Sequence, residues 1–359
     1  MRVLVMMSGG VDSSVAAFLL KKQGFDVTGV TLNLFSENES AANKVLCCGS
    51  DAGALDAKAC ARIMGISHHV LNEQETFKKY VINKFKDSYL AGETPNPCIE
   101  CNRHVKFGKI LEMAKAFGCD AVATGHYARI EDTDGRKSLF KGKDPKKDQS
   151  YFLYMLTEVQ LAGIMFPLGD LTKDKVRSIA GNIGLPVVHK PESQDVCFVK
   201  AGDYRELFNK SAKEGNIIEK STGRVLGRHG GFHNYTIGQR EGLGVAVGEP
   251  LYVANIDTMT NTLYVGKLKE VMALEIRVSD LSWVHPSLIP QFPGLIEVKV
   301  RYRSPAALAN IELIDENTCR VIFKEPQFAP TPGQFAVFYN RDEVLGGGKI
   351  IKNDVAMRR

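Results

Sequence analysis

The sequence predicts an α/β protein: a parallel sheet covered by helices over the first two hundred residues, followed by two smaller all-β modules. Three observations carry this. Short apolar runs alternate with helix-period stretches up to about residue 200. Helical periodicity then largely disappears and glycine turns multiply, as in "GRHGGFHNYTIGQREGLGVAVGEP" at 227–250. A chain of 359 residues is also long enough for two or three domains. The expected division is 1–204 for the α/β domain, 205–267 for a small β-rich central domain and 268–359 for a C-terminal β-barrel.

Arg2–Met7 is a short apolar strand. Asp12–Lys22 reads as a helix closed by Gly24, and Val27–Phe35 as the second strand. Asp51–Met64 is a helix ended by Gly65, followed by the strand His68–Leu71. Phe77, Val81, Phe85 and Tyr89 recur every four residues, one stripe of a helix. Phe107, Ile110, Leu111, Ala114 and Phe117 mark another, ended by Gly118, and Asp120–Thr124 is a further strand. In such β-α alternation ligands bind at the carboxyl ends of the strands. Farther on, Ile296, Val298, Val300 and Tyr302 alternate with Glu297, Lys299, Arg301 and Arg303, a half-buried strand. Ala329-Pro330-Thr331-Pro332-Gly333 leads into the strand Gln334–Tyr339.

Composition is that of a globular protein, 44% hydrophobic and 24% charged. No apolar run reaches membrane-spanning length. The opening "MRVLVMMSGG" lacks the charged, apolar and cleavage regions of a signal peptide. A cytoplasmic protein with no membrane partner is expected. The net charge of +5 permits an anionic partner without demanding one. Eight cysteines in a chain this large are not needed as disulfide staples. Cys60, Cys119 and Cys319 lie in apolar contexts and read as core. Cys47 and Cys48 precede a helix start at Ser50-Asp51 and take no assignment.

"MSGGVDSS", residues 7–14, follows the first strand and opens a helix. Gly9 and Gly10 let the backbone approach a phosphate, and Ser8, Ser13 and Ser14 offer hydroxyls. The helix N-terminus adds open N–H groups and partial positive charge. Asp12 is out of place in a purely anion-binding loop, and a carboxylate beside phosphates suggests a Mg²⁺ ligand. The plainer alternative is a strand-turn-helix with Ser and Asp as caps. Neither G-x-x-x-x-G-K-[ST] nor G-x-G-x-x-G is present. Ser-Gly-Gly-x-Asp-Ser resembles the loop of the ATP pyrophosphatase superfamily, whose members cleave ATP between its α and β phosphates and adenylate a substrate oxygen.

Five further segments follow in order: "TPNPCIECN" at 94–102, "ATGHYAR" at 123–129, "KKDQSYFLYML" at 146–156, "ESQDVCF" at 192–198 and "YTIGQREGLG" at 235–244. With the loop, they resemble the tRNA-specific 2-thiouridylases, which place sulfur on C2 of the wobble uridine in the tRNA anticodon loop. The likeness runs from residue 3 to about 350. It implies an ATP pyrophosphatase domain, a small central domain and a C-terminal β-barrel. It implies that Met6, Met7, Ser8, Gly9, Gly10, Val11, Asp12 and Ser13 hold ATP phosphates, that Leu32 lines the adenine pocket and that Gly125 contacts the nucleotide. Asn96, Pro97 and Cys98 would touch the target base. Lys147, Asp148, Gln149, Arg301 and Tyr302 would contact tRNA. Cys101 would be the nucleophile, and Cys197 would carry the incoming sulfur as a persulfide. The sulfur would come from a donor such as a cysteine desulfurase or a sulfur-relay protein.

The chemistry is coherent on its own terms. Exchanging oxygen for sulfur needs the oxygen activated, a sulfur carrier, and a second thiol that releases the sulfur by closing a disulfide on the carrier. Both thiols should sit in polar, partly exposed surroundings. Cys101 is expected to begin a helix, whose N-terminus would lower its pKa, and Cys197 follows the polar residues Glu192, Gln194 and Asp195. His126, in "TGH", is expected to orient a ligand or support the structure. Arg301 and Arg303 are expected to share one strand face as a phosphate platform. The basic loop 141–150 is expected to meet RNA. The uridine would have to leave its stack to react.

Two positions depart from the family pattern. Met6 stands where a glycine is usual, and Cys98 stands where many members have Asp. Cys98 creates a Cys-x-x-Cys and, with Cys197, three thiols able to hold a [4Fe–4S] cluster with one iron open to a hydrosulfide, as in related thiolation enzymes. A persulfide route without a cluster is the alternative. Zinc is disfavoured because no second Cys-x-x-Cys exists. Two other function classes compete with tRNA thiolation. A small-molecule ATP pyrophosphatase has no use for Cys101 and Cys197. A non-catalytic iron–sulfur or RNA-binding protein predicts tRNA affinity without ATP turnover.

Overall fold

Five parallel strands form the first sheet: β1 (Arg2–Met6), β2 (Asp26–Asn33), β3 (Ser67–Asn72), β4 (Ala121–Ala123) and β7 (Ile164–Met165), in the order β3-β2-β1-β4-β7. These come from a computed structural model that describes residues 1–35, 49–191, 196–199, 204–208, 213–245, 247–287 and 294–352. Cys47, Cys48, Glu192, Gln194 and Asp195 lie outside the described residues. Strand β1 is apolar from Val3 to Met6 because the sheet is covered on both sides. Val3 and Val5 join one core with helices α1 (Val11–Lys22) and α2 (Asp51–Met64), while Leu4 and Met6 join the opposite one. Helix α2 has the predicted bounds. Ser50 caps it by accepting the Gly53 N–H at 3.1 Å, and Gly65 ends it at φ +62°.

The two helices on the second face are longer than the apolar stripes indicated. Helix α3 spans residues 74–90 and helix α4 residues 97–116. Each contains a π-helical stretch, Lys78–Asn83 and Cys101–Lys109. Helix α4 therefore begins at Pro97, where a proline loses nothing by lacking an N–H. Cys101 lies one turn inside it, not at the N-terminus as expected, and Cys98 occupies the first turn instead.

The expected barrel is closed. Strands β12 (Met272–Trp283), β15 (Cys319–Phe328), β14 (Ala307–Leu313), β13 (Ile296–Lys299), β16 (Phe335–Asn340) and β17 (Glu343–Ile351) pair antiparallel in that order, and β17 returns to β12. One feature of this sheet was not foreseen. The hairpin β5 (Ala128–Thr133) and β6 (Arg136–Lys141), from the first domain, extends the barrel sheet, with Leu139 opposite Val344 and Phe140 opposite Glu343. In the chain between these bodies comes a four-stranded sheet of β10 (Tyr252–Asp257), β11 (Thr262–Gly266), β8 (Gly215–Glu219) and β9 (Val225–His229). Among the described residues no helix is long and apolar enough to cross a membrane.

Barrel and first domain share a core. Tyr151, Leu153 and Tyr154 are fully buried against Phe335, Val337 and Tyr339. The Tyr151 hydroxyl donates to the Phe335 carbonyl at 3.0 Å. Alternating burial from Ile296 to Val300 is as expected, but the strand stops at Lys299, so Arg301 and Arg303 do not share a strand face. The Arg301 guanidinium turns inward instead. It donates to the carbonyls of Ile237 at 3.0 Å and Ala329 at 2.8 Å, and to the Thr331 hydroxyl. Arg301→Met should remove the charged donor from two buried carbonyls and leave the Thr331 hydroxyl, 2.9 Å from the Ala329 carbonyl and 3.5 Å from that of Ile237, to serve both, at a cost of about 2–4 kcal/mol. Urea denaturation should show this as a lowered midpoint, and an unchanged midpoint would mean that the clamp contributes nothing.

Candidate active site

The loop between β1 and α1 opens at the carboxyl end of the sheet, where β1 lies between β2 and β4. Its shape is set by short internal hydrogen bonds. The Ser8 N–H donates to Ser13 Oγ at 3.1 Å, and the Ser13 and Ser14 hydroxyls donate back to the Gly10 carbonyl at 3.2 and 3.0 Å. Ser14 is fully buried, so its hydroxyl serves the loop and not a ligand. The Thr31 hydroxyl holds the loop entrance by donating to the Met7 carbonyl at 2.6 Å. Gly125 is packed so tightly that a Cβ there would lie 2.7 Å from the Ser13 nitrogen. Its lack of a side chain fits β4's end against the loop.

Two lysines that the sequence reading missed clamp this loop. Lys190 donates to the Gly9 carbonyl at 3.0 Å and to Asp56 Oδ2 at 2.6 Å. Lys173, the first residue of helix α5 (Lys173–Asn182), reaches both carboxylate oxygens of Asp12, at 2.8 and 2.7 Å. The Tyr127 hydroxyl donates to the same carboxylate at 2.7 Å. Asp12 is therefore already neutralised, so its expected standing as a ready Mg²⁺ ligand does not fit this arrangement. Neither lysine belongs to a motif that marks it, and only the turn of chain across the sheet brings them in.

From the loop a cavity of about 360 Å³ extends toward helix α4. Met6, Met7, Ser8, Gly10, Val11, Asp12 and Ser13 line it, as do Leu32 and Gly125. Pro97, Cys98, Cys101 and Cys197 line the same cavity. The Cys-x-x-Cys pair and the distant Cys197 thus face one space with the phosphate loop. Cys101 and Cys197 are half-buried against the same apolar cluster, and Cys98 is exposed. Among the described residues no three Cys, His, Asp or Glu side chains are grouped to hold a metal ion. The three thiols, as placed here, are not grouped as a [4Fe–4S] site requires. Cys60, Cys119 and Cys319 are buried as expected, and burial raises the pKa of each, that of Cys319 to about 12.

The π-helical winding of α4 matters here. Lys106, five residues after Cys101, also lines the cavity. An α-helix places such a pair about 140° apart, but wider winding moves them toward one face. His126 lies between Phe107 and Phe166, with Nδ1 2.7 Å from the Thr124 hydroxyl. Burial, and secondly the Lys106 charge, hold its pKa well below the usual range, so the ring is neutral. The ring also lines the cavity.

The turn carrying Cys98 is held by the barrel. Pro332 accepts the Thr94 N–H at 2.9 Å, and Gln334 donates to the Thr94 carbonyl at 2.8 Å. Glu93 pairs with Lys349 at 2.7 Å. From α4, Glu100 binds Lys84 of α3 at 3.0 Å and His104 of its own helix at 3.2 Å. Burial alone would raise its pKa, but these partners and the Arg103 charge hold it at about 2. A folded pKa below the unfolded value adds stability above the unfolded one, about 4.5, and loses it as pH falls toward 2. Thermal melts should therefore fall more steeply between pH 4.5 and 2 in the wild type than in Glu100→Gln. Parallel curves would show that the partners do not shift it.

The residues expected to meet tRNA are less uniform. Asp148 accepts from the Gly142 and Ser150 N–H groups at 3.0 and 3.1 Å, so it shapes its loop. Gln149 accepts the Tyr127 N–H and faces the cavity. Lys147 is half-buried. Tyr302 lies with its ring 4.4 Å from Phe152, which brings it beside the 146–156 segment. Arg301 is engaged inside, as described. Asn96 precedes helix α4 as its N-cap residue without a side-chain capping bond.

Sheet, loop and cavity define a nucleotide-binding protein of the ATP pyrophosphatase class, joined to a β-barrel. Residues 1–201 match a family model described as the tRNA methyl transferase HUP domain. Residues 207–267 match a tRNA methyl transferase PRC-barrel domain and 273–350 an aminomethyltransferase beta-barrel domain. The chain is 44% identical over 363 residues to the tRNA-specific 2-thiouridylase MnmA of Pelobacter propionicus, covering 99% of each. It is 43% identical over 358 residues to that of Clostridioides difficile, covering 98% of each. The chain belongs to the tRNA-specific 2-thiouridylase family.

Proposed function

We propose that this chain is a tRNA-uridine 2-sulfurtransferase that uses ATP to activate the C2 oxygen of the wobble uridine. The observation that carries this reading is the single cavity shared by the phosphate loop and by Cys101 and Cys197. Family membership supports it, because the relatives named above are 2-thiouridylases over their whole length. A methyl transferase, the word in two of the family-model descriptions, has no use for paired thiols beside a phosphate loop.

The chemistry runs in balanced steps. The C2 oxygen attacks the α phosphate of ATP and pyrophosphate leaves. A donor persulfide places one sulfur on Cys197. Its terminal sulfur attacks C2, expels AMP and leaves the uridine joined to Cys197 through a disulfide. The Cys101 thiolate then attacks the Cys197 sulfur, closes a Cys101–Cys197 disulfide and releases the 2-thiouridine. A dithiol reductant reopens the enzyme. In this sequence Lys190 and the open N–H groups of α1 hold phosphate, and neutral His126 orients the activated base. Pro97 walls the base pocket with Gln149, Asn96 stands beside it at the start of α4, and Lys147 and Tyr302 contact RNA outside it.

The test is reconstitution with unmodified tRNA, ATP, Mg²⁺ and a persulfide donor. One AMP and one pyrophosphate should appear for each 2-thiouridine, and both Asp12→Ala and Cys101→Ala should fail. Full thiolation by both variants would overturn the reading, as would AMP release without tRNA and without thiolated nucleoside.

A further inference from the structure

We propose that Lys173 is a resident counterion that occupies the cation position on Asp12 in the empty loop and moves to phosphate when the nucleotide enters. The proposal rests on the reading that this loop binds ATP. Asp12 stands in the first turn of α1, where a metal bound to ATP phosphates needs an oxygen ligand. Yet both its oxygens are taken by one ammonium, and one also accepts the Tyr127 hydroxyl.

The lysine is built for this position. Its side chain is 9% exposed, against 31% for Asp12. Thr172 caps helix α5 through the Lys175 N–H at 3.4 Å, and the Lys173 N–H donates to Asp144 Oδ2 at 3.0 Å. The backbone is thus tied down at the start of a helix, while four methylenes let the ammonium exchange one anionic partner for another. A buried ammonium needs a compensating charge at every stage. Asp12 supplies it in the empty loop, and an incoming triphosphate supplies it afterwards. Two consequences follow. Asp12 is a poor site for a divalent cation alone, so the metal enters with the nucleotide. Lys173 contributes to ATP affinity even without metal. The tie to Asp144 also connects the exchange to loop 141–150, the segment expected to meet tRNA.

Mn²⁺ binding, followed by electron paramagnetic resonance on the full chain without nucleotide, tests this directly. The wild type should show no site removed by Asp12→Asn. Lys173→Met should gain one Mn²⁺ per chain, at least about tenfold tighter than any wild-type binding, and lose it when Asp12→Asn is added. Calorimetry with ATP in excess EDTA should show at least about tenfold weaker binding to Lys173→Met, with Lys173→Arg near wild type. A tight wild-type Mn²⁺ site that Asp12→Asn abolishes would overturn the proposal, and this holds even if Lys173→Met fails to fold. Unchanged Mn²⁺ and ATP binding in a folded Lys173→Met would overturn it too. Neither readout needs tRNA, so an enzyme that passes both without thiolating would refute the proposed function alone.

Discussion

Cys101→Ser is expected to lower 2-thiouridine formation by roughly three orders of magnitude or more, with ATP affinity unchanged. A serine hydroxyl is not ionised near neutral pH and does not attack sulfur, whereas a thiolate does. In the proposed cycle the variant still adenylates the uridine and accepts sulfur, then stalls with tRNA held on Cys197 by a disulfide. Gel electrophoresis without reductant should show that adduct, and dithiothreitol should release thiolated tRNA from it. Cys98 lines the same cavity but is exposed in the first turn of α4. Cys98→Ser should therefore remain within a few-fold of wild type. If Cys98→Ser fails and Cys101→Ser does not, the nucleophile has been assigned to the wrong end of the Cys-x-x-Cys.

Gly9→Ala should be the most disruptive single change in the phosphate loop. Gly9 has φ +72°, a conformation that costs a non-glycine residue about 1–2 kcal/mol. An added Cβ would also overlap the Gly53 carbonyl of α2, with its carbon at 2.8 Å. Both obstacles are backbone, so no side chain can move aside, and pushing α2 away costs about a further 1–3 kcal/mol. A total loss of about 2–5 kcal/mol in urea denaturation is expected, with nucleotide binding lost alongside. Gly10→Ala is the control. Its φ is −98° and its nearest neighbour would be Ser8 Oγ at 3.4 Å, so its stability should stay within about 1 kcal/mol. Equal losses in the two variants would show that loop geometry at Gly9 is not the cause.

Much of this was legible in the chain because it depends on local rules. Helix α2 announced both ends, through Ser50 and Gly65, since caps are made by neighbours in sequence. The alternation from Ile296 to Val300 gave a barrel strand, but not its end after Lys299. Arg301 read as surface because Arg usually is. Its inward turn depends on carbonyls of Ile237 and Ala329, 64 and 28 residues away. Helix α4 was placed by its apolar stripe and so begun too late. Its first turn, Pro97–Glu100, buries Ile99 but extends no four-residue stripe, and Pro97 marked a turn as readily as a helix start.

The sequence alone determined the order of modules, the phosphate loop and which cysteines are packing residues, because each follows from period, turn chemistry or apolar context. Tertiary structure decided what occupies the site. Lys173 lies 161 residues from Asp12, and Lys190 lies 181 from Gly9. The barrel residues Pro332 and Gln334 hold a turn more than two hundred positions earlier in the chain. Such partners are chosen by where the strands end in space. An ionisable side chain carries no local mark of which distant charge will neutralise it.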